Sequence, residues 1–153
     1  LKVNFNVADI WVCQKEIESK ERKKEIDGSF IIEDVLFLLE AKAVNVSFGY
    51  DKGDKKALEF RINKMKSAIN ELKSKCDFIK KNKNTIFPII PNEVKYLCPI
   101  VISSYPEYIW EKSENLFISI DQKLPRILTI KDIASLKSID LEVLKKQNWI
   151  VSI

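Results

Sequence analysis

Histidine is absent from the 153 residues. That removes Ser-His-Asp and Cys-His nucleophiles, HExxH zinc sites and any nuclease with a histidine base, and leaves chemistry to carboxylates, lysines, hydroxyls or thiols. Glycine and proline are scarce, at three and five, beside a hydrophobic fraction of 46%; this excludes a disordered or fibrous chain and points to a packed globule. Cys13, Cys76 and Cys98 form no CxxC pair, which argues against a disulfide frame or zinc knot and for reduced thiols in the cytoplasm. The longest strongly apolar run, Val35-Leu36-Phe37-Leu38-Leu39, is far short of the roughly 20 residues of a membrane span. The first segment lacks the continuous apolar core of a signal peptide. A cytoplasmic protein without membrane contact is expected.

The length fits one domain over residues 1–153. The chain opens on Leu1 rather than Met, as a fragment of a longer chain would, with no helix before its first strand. Net charge is only +4, but its distribution is uneven: residues 52–83 carry eleven Lys or Arg against four Asp or Glu, a local +7. A basic helix there suits a phosphate backbone, with Lys55, Lys56, Lys64 and Lys66 as candidate nucleic-acid contacts. A solvated helix face reads equally well.

The pattern predicts strands over 3–13, 26–32 and 35–46, the last two joined at Glu33-Asp34, and a loop over 45–53. Leu58, Ile62, Met65, Ile69, Leu72, Cys76 and Ile79 recur at spacings of four and three, an apolar stripe that predicts a helix over 55–81 lying on a sheet. Residues 96–103 (YLCPIVIS) read as a strand buried on both faces, with Pro99 calling for an edge position or a start at Ile100. A short strand over 116–120, a helix capped by Thr129 with Asp132, and a last helix over 141–147 follow. Trp11, Tyr105, Tyr108 and Trp110 offer surfaces for stacking on bases, but the expected place for them is the core.

An acid two residues before a lysine occurs seven times in this lysine-rich chain, so spacing alone selects nothing. Only Glu40-Ala41-Lys42 directly follows a long apolar strand. Period two puts Glu40 and Lys42 on one face and Ala41 on the other. With a two-residue turn at Glu33-Asp34, paired numbers sum to 67, so Asp27 falls opposite Glu40 unless Gly28 makes a bulge. Two neighbouring carboxylates repel, and a divalent cation reverses that sign.

Glu25-Ile26-Asp27-Gly28 followed by Val35-Leu36-Phe37-Leu38-Leu39-Glu40-Ala41-Lys42-Ala43 resembles the core of the PD-(D/E)xK, or restriction-endonuclease-like, nuclease superfamily, with Ile26 where the named pattern has proline. The resemblance covers residues 3–104. It implies an α/β fold: a restriction-endonuclease-like core with a central mixed sheet, a long basic helix packed on it and small C-terminal helices. It further implies Mg²⁺ or Mn²⁺ held by Asp27, Glu40 and the Ala41 carbonyl, and Lys42 orienting or deprotonating the attacking water. DNA is then the expected substrate ahead of RNA, by family analogy. A further acid from an upstream element would be sought at Asp9, Glu16 or Glu18. Two other readings stay open: an inactive nuclease-like fold that binds nucleic acid, or an interaction domain for a protein partner.

Overall fold

The computed structural model describes residues 13–18, 23–43, 45–85 and 90–153; Trp11 and nearly all of the strand expected over 3–13 lie outside them. The chain is mixed α/β. Strands β1 (Cys13–Glu18), β2 (Lys23–Ile32) and β3 (Val35–Lys42) run antiparallel in sequence, and β4 (Tyr96–Ser103) pairs parallel to β3. A separate ribbon of β5 (Phe117–Ser119) and β6 (Leu124–Pro125) precedes β7 (Ile127–Leu128), which adds parallel to β4, and β8 (Val151–Ser152) adds antiparallel to it. The main sheet order is β1-β2-β3-β4-β7, with β8 also on β4.

Between β3 and β4 come α1 (Phe48–Asp51), a single turn inside the segment read as loop, and α2 (Lys55–Asn82). Each starts where a side chain satisfies an exposed backbone donor: Ser47 Oγ accepts from Tyr50 N, and Asp54 Oδ1 accepts from Ala57 N at 2.9 Å. The predicted stripe packs as expected, with Ile62, Met65, Ile69, Leu72, Cys76 and Ile79 buried. They cover one sheet face through Leu36, Leu38, Leu97 and Val101. The opposite face, where the rings of Phe30 and Phe37 stack at 5.0 Å, is closed by a 3₁₀ segment (Ile130–Ser138) and α3 (Leu141–Lys145). The Asp132 carboxylate accepts from the Thr129 N–H and hydroxyl at 3.0 and 2.6 Å, so the predicted cap is present, on a tighter helix than expected.

The hairpin follows the predicted register from Ile32↔Val35 to Gly28↔Leu39, around a turn in which Glu33 has φ +54°. Pro99 corrects an expectation: it lies inside β4, opposite Leu38, with β3 on one side and β7 and β8 on the other. Val101 N bonds Arg126 O on the β7 side, and Pro99, two residues earlier, turns its nitrogen the same way. There it meets the gap between β8, which pairs with Tyr96 and Leu97, and β7, which pairs with Val101 and Ile102. The missing N–H therefore breaks no ladder bond. Tyr105, Tyr108 and Trp110 correct another: they stand exposed on the irregular connection after β4, past the end of the strand that would have carried them into the core.

Candidate active site

On β3 the even-numbered side chains face α2, so the strand that buries Leu36 and Leu38 delivers Glu40 and Lys42 to the same face near its C-terminal end. Glu40 is 5% exposed, a burial that a carboxylate tolerates only with partners for both oxygens. It has them. Lys42 Nζ donates to Oε1 at 2.6 Å, and Lys75 Nζ, from α2, donates to Oε2 at 2.5 Å. Glu71, one turn before Lys75, stands 3.8 Å from Lys42 Nζ and 3.9 Å from Lys75 Nζ. The result is a charge cluster between β3 and α2.

Asp27 arrives from β2. The β2–β3 ladder ends at Gly28↔Leu39, one step before it. Ile26 packs with Leu36 and Leu38 on the α2 face, whereas Phe30 and Ile32 pack on the other. Strict alternation would put all three together, so the strand changes face between Ile26 and Phe30, where the sequence has Asp27-Gly28. The Asp27 carboxylate does not stand as a simple cross-strand neighbour of Glu40. Its Oδ2 accepts from the Ala41 N–H at 2.7 Å, at the peptide bond that links Glu40 to Ala41. Asp27 thus reaches the Glu40–Ala41 peptide of β3, close enough for its charge to act on Lys42.

Burial pushes the Glu40 carboxyl up, but the hydrogen bonds and charges of Lys42 and Lys75 outweigh it and hold it below its ordinary 4.5. For Lys42 the order is reversed. Its hydrogen bond to Glu40 raises it above its ordinary 10.5, against desolvation, and the charges of Glu40, Glu71 and Asp27 add to the rise. Lys42 is therefore an ammonium in this arrangement, in the field of three carboxylates.

The candidate phosphate contacts divide by their place on α2. Lys64 lies about three turns before Lys75, on nearly the same line of the helix. It is exposed, with Nζ 5.5 Å from the centre of the Phe60 ring. Lys66, about two and a half turns away, is on the opposite flank, where it pairs with Glu111 at 2.5 Å. Lys55 is on that flank too, near Glu59 at 3.8 Å, and Lys56 is exposed between the two. Asp9 is outside the described residues, while Glu16 and Glu18 belong to β1. Among the described residues no three His, Cys, Asp or Glu side chains gather as metal ligands.

Lys75 and Glu71 are residues that sequence reasoning missed. Lys75 had a signal: it is three after Leu72 and four before Ile79, an apolar-stripe spacing filled by a cation, which burial permits only opposite an acid. A second buried polar group adjoins the site. Ser103 pairs with Lys42 in the β3–β4 register and donates to Glu107 Oε1 at 2.5 Å. Arg61 on α2 grips Glu107 through Nε and Nη2, both at 2.8 Å, and donates to Asn45 O and Ser103 Oγ at 3.3 Å. The Tyr50 hydroxyl donates toward Glu107 and Pro106 O. This network ties α1, α2 and the connection after β4 to the strand end that carries the cluster.

Comparison of the chain with protein-family models, curated proteins and solved structures finds no match.

Proposed function

We propose that the chain has a restriction-endonuclease-like core and hydrolyses phosphodiester bonds of DNA with Mg²⁺ or Mn²⁺. The observation that carries the reading is the meeting of Asp27 with the Glu40–Ala41 peptide, beside Glu40 and Lys42, at the end of a buried strand. The order β1, β2, β3, α2, β4 and the mixed sheet support it. The donors fit the ion: Asp27, Glu40 and the Ala41 carbonyl are hard oxygens, and Mg²⁺ takes one or two carboxylates with waters and phosphate oxygens. Two ammonium groups on Glu40 mark a place built for positive charge.

When bound, the ion would stabilise charge on the phosphate and lower the pKa of a water. Asp27 and Glu40 would hold it from neighbouring strands. Lys42, kept protonated by Glu40, would donate to a phosphate oxygen or the attacking water and offset the developing negative charge. Lys75 would keep Glu40 ionised and aimed as substrate enters. In a plasmid-nicking assay with Mg²⁺ or Mn²⁺, wild type cuts and Lys42→Ala and Glu40→Gln do not; equal cutting by all three would rule the site out.

One observation favours a second reading, the inactive form of the same fold acting as a nucleic-acid-binding or protein-interaction domain. Both Glu40 oxygens are already neutralised within the chain. Under that reading, DNA binding needs no divalent ion.

A further inference from the structure

Four exposed aromatic rings stand on the elements that the Arg61 network joins. Tyr105 is 50% exposed, with its ring 5.7 Å from the Arg61 guanidinium carbon. Tyr108, 64% exposed, packs on Tyr50 at 5.5 Å between ring centres, and Tyr50 itself lies 5.0 Å from Arg61. Phe60, 61% exposed, precedes Arg61 on α2, and Phe48, 76% exposed, begins α1 two residues before Tyr50. Large rings left in water at this density need a reason. Charge supplies one: Lys52 Nζ sits 4.2 Å from the Phe48 ring centre and Lys64 Nζ 5.5 Å from that of Phe60.

Phe60, and α1 with Phe48, also lie on the flank of α2 that leads to the site. Gly49 of α1 rests against Asp54 and Ala57 of α2, and Ala57 is about five turns from Lys75 on the same line of the helix. Phe60, Lys64, Glu71 and Lys75 therefore follow one flank of α2, from the aromatic group to Glu40. Trp110 is exposed as well, but it shares a 270 Å³ cleft with Lys55, Leu58 and Glu59, on the opposite flank.

We infer that this flank is a track for single-stranded DNA, its bases stacking on Phe48, Phe60, Tyr105 and Tyr108 and its phosphates meeting Lys52 and Lys64. The inference rests on the nuclease reading for its direction, since the track ends at the Asp27–Glu40 site. A duplex would not use these rings: its bases are stacked inside and it presents phosphate and sugar, for which lysines alone suffice. Exposed rings interleaved with cations match a strand with unstacked bases, because every base has a face to stack. The substrate class is then DNA with unpaired bases: a single-stranded end, flap or gap, or the melted stretch of a supercoiled plasmid.

The test is fluorescence anisotropy of the full chain with a labelled oligo-dT of about 12 nucleotides and with a blunt hairpin duplex, both in EDTA so that nothing is cut. Wild type should bind the single strand more tightly. Phe48→Ala and Phe60→Ala, at positions too exposed to decide folding, should each weaken it about tenfold and leave duplex binding unchanged. Trp110→Ala should bind the single strand as wild type does. Equal affinity for the two DNAs, no binding to either, or losses that Trp110→Ala shares would overturn the track. The two readings fail separately. Single-strand binding with no cutting in Mn²⁺ would end the nuclease proposal alone. Cutting of blunt duplex, indifferent to Phe48 and Phe60, would end the track alone.

Discussion

Glu40 shows what a single residue costs and supplies here. Its carboxylate is buried and titrates below 4.5 because two ammonium groups hold it ionised. The folded state thus binds fewer protons at Glu40 than the unfolded state, so its stabilisation is present above pH 4.5 and is lost as pH falls through the lowered folded value. Lys42 has the opposite sign: raised above 10.5, it stabilises fully below that pH and loses the effect as pH rises through the folded value. Urea unfolding from pH 6 down to pH 2 should show wild type losing stability more steeply than Glu40→Gln. That variant leaves buried Lys75 facing a neutral amide, so at neutral pH it should be less stable by about 3 kcal/mol. A Glu40→Gln profile parallel to wild type would show that folding leaves the carboxyl's titration unchanged, so that the two lysines do not hold it ionised.

At the scale of elements, the Arg61–Glu107 pair holds α2 to the connection after β4. Both side chains are almost fully buried and joined by two bonds. Glu107→Ala removes the carboxylate that balances a buried guanidinium and should cost about 3 kcal/mol. Lys66–Glu111 joins the same two elements, but its side chains are 33% and 48% exposed, so Lys66→Ala should leave stability nearly unchanged. Denaturant midpoints for the two variants check the contrast. Such pairs explain what was legible in the sequence. Periodicity is a local signal, and it located α2, the hairpin turn at Glu33-Asp34 and the acid-x-lysine strand end. Pairings between distant segments leave no local trace: nothing near Lys75 names Glu40, and nothing near Tyr105 says that the sheet ends at Ser103. Pro99 misled for the same reason, since whether its missing N–H matters depends on where β7 and β8 stop. Asp27-Gly28 was half legible. The glycine flagged a bulge, but only the packing of Ile26 shows that the strand changes face.

Across the whole molecule, folding brings Asp27 of β2 and Glu40 of β3 together, and the unfolded chain has no such pair. An ion bound by both must therefore stabilise the folded state, by about 2.7 kcal/mol at a hundredfold excess over its dissociation constant. For a chain of this size that corresponds to a rise in melting temperature of about 5–10 °C. Asp27→Asn and Glu40→Gln should each abolish the rise. Lys75→Met should enlarge it at limiting Mn²⁺, because it keeps the length of the side chain but removes a charge that competes for Glu40. This last variant separates the two functional readings. If wild type does not respond to Mn²⁺ while Lys75→Met does, the internal lysines have replaced the ion and the fold is an inactive one. If wild type responds, the ammonium groups yield to the metal, as an active nuclease requires. A melting curve unmoved by Mn²⁺ in both proteins would mean that Asp27 and Glu40 do not share an ion at all.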